Sequence, residues 1–179
     1  VYTKELYSVT NATGKERTFM KILQNLLGKG SVIGAPAAGE LVSIREVSDD
    51  TFREEILGTS AAIRPAEGKF YAPADGKVAT VFATGHAAAI TTQDRAEVLI
   101  HIGLDTVKLK GRYFTVHVKE GQQVKKGDLL IEADLEKISA EGYDTITPVV
   151  ICNSDRFTRI TMAPGGPVAQ GDVIMTIVN

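Results

Sequence analysis

From Ala35 to Asn179 the chain never holds a helical period for long. Short apolar or alternating runs recur instead: GELVSI, GKVATVF, AEVLIHI, YFTVHV, DLLIEA and DVIMTIV, each closed off by Gly, Pro or Asp. Runs of this length bounded by turn residues are strands, and so many of them in one chain predict an all-β sandwich or barrel. Only DDTFREEILG and ADLEKISAEG read as short helical turns. Two echoes sharpen the pattern. APAAGEL at 35–41 returns as APADGKV at 72–78, and GQQVKKGDLL at 121–130 returns as GGPVAQGDVI at 165–174. In the second pair Gly121, Val124, Gly127 and Asp128 match Gly165, Val168, Gly171 and Asp172. The glycines supply turns with φ > 0 and the valines anchor them to the core. With two copies of each, these are related turn units rather than a solenoid.

Residues 1–30 differ. VYTKELYSVTNATG reads as a polar linker, and KERTFMKILQNLLGKG spaces Phe19, Ile22, Leu23, Leu26 and Leu27 as one face of a short amphipathic helix. The organisation expected is a linker with a short helix over 1–30 and one globular domain over 31–179. The chain opens at Val1 rather than methionine, as a piece of a longer protein would. A net charge of −2 offers no basic field for nucleic acid. A single cysteine, Cys152, excludes a disulfide framework and a cysteine-based zinc site, and points to a reducing, cytoplasmic setting. Cys152 follows the apolar PVVI and is expected to pack as a buried thiol. No apolar run approaches the roughly 20 residues of a bilayer span.

Two of the three histidines are the candidates for chemistry. Strand alternation puts Val98, Ile100, Ile102 and Leu104 on a core face, and Leu99, His101, Gly103 and Asp105 on the other. His101 then stands beside a small Gly103 that leaves room for another molecule. Read as extended chain, FATGHAAAI places Phe82, Thr84, His86 and Ala88 on one face, where Thr84 can fix the tautomer of His86. His117, between Thr115 and Lys119, sits on a solvated face and has no role. Two histidines can serve metal binding (with Asp105 as a third ligand), acid–base catalysis, or phosphoryl carriage on an imidazole nitrogen; they can equally be satisfied half-buried side chains.

The stretches HIGLDTVKLKG and TGHAAAI, with APAAGELVSIREVSDDTF, AIRP, YAPADGKV, EGQQVKKGDLLIEAD and TPVVI, resemble the glucose-type enzyme IIA domain of the bacterial phosphoenolpyruvate-dependent sugar phosphotransferase system over about residues 31–179. The resemblance implies an antiparallel, barrel-sandwich-like β-sandwich with a shallow active-site depression. It implies that His101 is the phosphorylated residue, His86 its supporting histidine, and Thr84 the residue orienting that second ring. Asp49 and Asp105 match acidic residues flanking the site. Phe52, Leu57, Phe82, Leu99 and Val107 fall where the family has an apolar collar for partners; Ala89 departs from a bulkier residue seen in some members. The implied donor is the small histidine-containing phosphocarrier protein. The implied acceptor is a cysteine of the enzyme IIB domain of a sugar permease, which would tether the domain at the inner face of the membrane. The transfer requires no cofactor, although in some members two such histidines bind zinc with a carboxylate lent by a partner.

Three rival readings remain to be weighed. Similar domains form phosphorylation-controlled C-terminal tails of secondary sugar transporters, where His101 would serve equally. APADGKV and EGQQVKKGDLLIEA resemble biotinyl and lipoyl carriers, but Glu132–Ala133 is followed by Asp134 and Leu135 where the carrier lysine belongs. A zinc peptidase on a similar scaffold needs an Asp four residues after one His and a His-x-His pair; Ile90 and Gly103 occupy those places.

Overall fold

The computed structural model describes residues 30–179. The linker helix expected upstream lies outside them. The strands are β1 (Gly30–Gly34), β2 (Gly39–Val42), β3 (Thr59–Pro65), β4 (Lys69–Tyr71), β5 (Gly76–Val81), β6 (Ala87–Thr92), β7 (Glu97–His101), β8 (Phe114–Val116), β9 (Gln123–Val124), β10 (Leu129–Ala133), β11 (Thr147–Ile151), β12 (Arg159–Met162), β13 (Gly166–Val168) and β14 (Val173–Val178). Every pairing is antiparallel. An eight-stranded sheet runs β13-β2-β3-β11-β7-β6-β5-β9, and two three-stranded sheets run β1-β14-β12 and β4-β10-β8.

One face of the long sheet meets both short sheets. Ile33, Ile174, Met175 and Ile177 pack on Leu41, Ile63, Val98 and Val149. Phe70, Leu130 and Ile131 pack on Val78, Ile90, Ile100 and Ile102. The opposite face carries a third cluster, where Val42, Ala62, Ala87, Leu99 and Val150 are covered by Ile44, Val47, Phe52, Leu104 and Ile146. Strand β7 is therefore covered on both faces. Leu99 is a core residue at 8% exposure, in the same buried strand as Val98 and Ile100. Leu104 packs with Leu99, not with Val98 or Ile100, because β7 ends at His101 and the chain turns at Gly103 with φ 72°.

The sequence echoes become a reciprocal brace. In one half the Ala35 amide donates to Asp172 O (2.7 Å) while Gly171 N donates to Ala35 O (2.9 Å); in the other, Ala72 N donates to Asp128 O (2.8 Å) while Gly127 N donates to Ala72 O (2.9 Å). The two Ala-Pro-Ala units also clasp each other: Gly34 N donates to Pro73 O (2.8 Å) and Tyr71 N to Pro36 O (2.7 Å). Gly39 pairs with Val168 as Gly76 pairs with Val124. Each Asp also closes its own turn, accepting at Oδ2 from Ala169 N and Lys125 N at 2.8 Å. Equivalent residues make equivalent bonds, so the repeat is a local two-fold relation in the scaffold.

The two helical turns are α1 (Asp50–Arg53) and α2 (Leu135–Ala140). Asp49 caps α1 by accepting from Thr51 N at 2.8 Å, and Glu55, at φ 53°, ends the segment soon after. Short 3-10 turns not anticipated from the sequence lie at Ile44–Glu46, Thr106–Leu109 and Ser154–Arg156.

Candidate functional site: a histidine pair at the end of two paired strands

Register brings the histidines together. In the β6–β7 pair Ala87 lies opposite His101, so His86, the residue before β6, sits beside the last residue of β7. The Ile102 amide donates to His86 O at 2.8 Å and extends the pairing one step. The ring centroids of His86 and His101 are 4.8 Å apart, edge to face at 80°.

His86 is not on an extended strand. Residues 82–86 form the turn joining β5 to β6, closed by Phe82 N to Ala87 O (3.0 Å) and Gly85 N to Phe82 O (2.7 Å). The single-face alternation of Phe82, Thr84, His86 and Ala88 thus fails, but the contact it was meant to produce survives. Thr84 Oγ1 lies 2.6 Å from His86 Nδ1 across the turn. Gly85 makes this fit at φ 67°, with Phe114 and Val116 packed where a side chain would begin.

His101 Nδ1 lies 2.8 Å from the Gly103 carbonyl oxygen. A carbonyl only accepts, so Nδ1 carries the proton and Nε2 keeps its lone pair. Gly103 is thus not an opening for a second molecule. A β-carbon there would lie 2.6 Å from Thr106 Cγ2 and 2.7 Å from Asp144 O. Its role is the turn that aims its own carbonyl at the ring, an acceptor that no side-chain identity marks.

Both rings are neutral at pH 7. Burial, followed by repulsion from His101, lowers the pKa of His86 to about 4. Burial also lowers that of His101, opposed by the Gly103 hydrogen bond and then by the Asp49 and Asp105 carboxylates. His86 is 4% exposed, whereas His101 is half-buried. Asp49 is half-buried as the α1 cap, and Asp105 is exposed, with Oδ2 2.9 Å from Lys108 Nζ.

The other expected site residues separate into two groups. Phe82 (42% exposed), Val107 (48%) and Leu57 (40%) offer apolar surface, joined by Ile56 at 70%. Leu99 and Phe52 are core residues, at 8% and 6%, and present no collar to a partner. Phe52 instead packs its ring 5.0 Å from that of His101, as Phe82 does 5.4 Å from His86.

Cys152 is a correction. β11 is buried throughout but ends at Ile151, and Cys152 begins the following turn with an exposed side chain. Partial burial and the neighbouring Glu97 carboxylate still raise its thiol pKa, leaving it protonated. His117 is exposed and pairs with Glu132 at 2.7 Å.

The two imidazoles could each offer Nε2 to a zinc ion. Among the described residues, however, no group of three or more His, Cys, Asp or Glu side chains converges. A catalytic zinc site needs three protein ligands, so these residues do not complete one, and Asp105 does not serve as the third.

An antiparallel β-sandwich that carries two adjacent, neutral imidazoles at the ends of paired strands is the class of domain defined here, and the comparisons assign it to phosphoryl transfer. Residues 31–157 match the family described as phosphoenolpyruvate-dependent sugar phosphotransferase system, EIIA 1, and the chain belongs to that family. It is therefore a phosphotransferase component. It is 43% identical over 150 residues to a PTS system beta-glucoside-specific EIIBCA component of Bacillus subtilis, covering 84% of this chain and 25% of the relative. It is 39% identical over 152 residues to a PTS system glucose-specific EIIA component of Oceanobacillus iheyensis, covering 84% and 92%. Among solved structures, glucose permease IIA from Mycoplasma capricolum matches with a TM-score of 0.79 and 36% identity over 83% of this chain and 96% of that one. The chain spans about a quarter of the length of the fused relatives it matches first. These findings fit the phosphotransferase reading and not the transporter-tail alternative.

Proposed function

We propose that His101 Nε2 accepts a phosphoryl group from the phosphohistidine of the small histidine-containing phosphocarrier protein and passes it to the cysteine of an enzyme IIB domain. The observation that carries this is the ring pair, 4.8 Å apart, with each Nδ1 already engaged so that each Nε2 is left to act.

The step balances without a metal. A bond forms from His101 Nε2 to phosphorus as the bond to the donor's imidazole nitrogen breaks, and that ring leaves with the electron pair. Positive charge develops on the His101 ring. The Gly103 carbonyl, holding Nδ1–H, and the Asp49 and Asp105 carboxylates oppose its cost. Thr84 donates its hydroxyl hydrogen to His86 Nδ1, which leaves Nε2–H of His86 to donate to a phosphoryl oxygen. Exposed Phe82, Leu57 and Val107 serve as the apolar docking surface, with the acidic Asp49 and Asp105 acting on His101. The names of fused relatives, EIIBCA and EIICBA components, support an enzyme IIB partner in the same polypeptide, and with it a tether to the inner face of the membrane. No helix among the described residues is long and apolar enough to cross one.

The test supplies phosphoenolpyruvate, enzyme I and the small phosphocarrier protein. One acid-labile phosphoryl group per chain is expected. His101→Gln should abolish it, and His86→Gln should accept the group but pass it on slowly. Labelling of His101→Gln at the wild-type level would refute the assignment.

A further inference from the structure

We propose that Phe52 is a positioning residue for His101 rather than a docking contact, its ring serving as the wall that holds the imidazole in the plane its Gly103 hydrogen bond requires. This rests on the reading of His101 as the phosphoryl acceptor.

Three observations carry it. Phe52 is 6% exposed, so a partner reaches almost none of it. Its ring lies 5.0 Å from the His101 ring at 54°, within the range of tilted aromatic contacts. The rings also form a row, Phe52–His101–His86–Phe82, with successive centroids 5.0, 4.8 and 5.4 Å apart. His101 thus packs against both Phe52 and His86. The imidazole turns about its Cβ–Cγ bond; one hydrogen bond at Nδ1 opposes that rotation, and contact with two neighbouring rings restricts it further. Of the two phenylalanines in the row, only Phe82, at the outer end, is exposed enough to meet a partner.

The local fold is built to deliver Phe52. The Asp49 side chain caps Thr51 N, Arg53 N donates to Asp49 O at 2.9 Å, and Arg53 pairs with Asp50 and Glu54. These contacts stiffen a helix of one turn that alone would not form. The same turn brings Asp49 toward His101, so α1 sets one apolar wall and one carboxylate against the ring. The charged or titratable groups acting on His101 are Asp49, Asp105 and His86, and none is altered by changing Phe52.

The test is Phe52→Leu, with Phe52→Met as a second apolar replacement should the first fail to fold. Imidazole nitrogen NMR on the unphosphorylated protein reads tautomer and titration directly and needs no phosphoryl donor. Wild-type His101 should show one tautomer, Nδ1–H. The variants should show a mixture of tautomers. In the coupled assay kcat should fall about tenfold with KM for the phosphocarrier protein changed less than twofold, because a misaimed nucleophile loses rate rather than binding. An unchanged NMR signature, or a raised KM at constant kcat, overturns the proposal. Failure of the wild type to be phosphorylated at all would overturn the functional reading, and the NMR would still decide whether Phe52 holds the ring.

Discussion

Acid should unfold this domain partly through one buried imidazole. His86 titrates at about 4 in the folded protein against 6.5 in an unperturbed chain. Between those values the unfolded state binds a proton that the native state refuses, so stability rises with pH across that window and falls as the solution is acidified. Above about pH 7 both states are neutral at this site and nothing is lost. By the linkage relation the loss is about 1 kcal/mol at about pH 5.5 and reaches roughly 3 kcal/mol near pH 4. His101, shifted the same way by burial, adds to it. The comparison is His86→Gln, which keeps a polar group beside Thr84 but does not titrate. Urea unfolding at several pH values should show the wild type losing stability more steeply than the variant, the two curves converging or crossing as pH drops. Parallel loss in both proteins would show that His86 is not held neutral, and the argument from its burial would fall.

Two further outcomes follow from the packing. Gly103→Ala forces a side chain into left-handed backbone at φ 72° and against Thr106 and Asp144; the backbone alone should cost about 1–3 kcal/mol, read as a lowered urea midpoint, and phosphoryl acceptance should drop as the His101 acceptor moves. Leu99→Ala empties a core position and should cost about 2–5 kcal/mol in thermal or urea unfolding, while KM for the donor protein stays within about twofold; a KM effect without loss of stability would return Leu99 to the docking surface.

How far the sequence carried depends on what kind of contact decided each feature. That His101, His86 and Thr84 lie together is expected from the resemblance, and the Thr84–His86 contact follows from their two-residue spacing even though the segment is a turn and not a strand. The Ala-Pro-Ala and Gly-Asp echoes were visible as repeats, but that each Ala clasps the distant Gly-Asp turn of its own half depends on contacts between remote segments. Leu99 was misplaced because alternation assumes one open face, whereas β7 lies between β6 and β11 under the α1 segment and is buried on both sides. Cys152 was misplaced by a single residue, because an apolar run does not mark where pairing stops. Gly103 shows a different limit: its contribution is a main-chain oxygen, which no residue identity announces.

The pairing of Gly30 with Val178 places the two ends of the described region next to each other, on a short sheet whose third strand is β12. None of these three strands supplies a ring to the aromatic row. A module whose entrance and exit share one doorway can be joined to a neighbour at either terminus through the same side of its fold. That geometry suits relatives in which a segment of this kind is nearly the whole polypeptide in one case and a quarter of it in another.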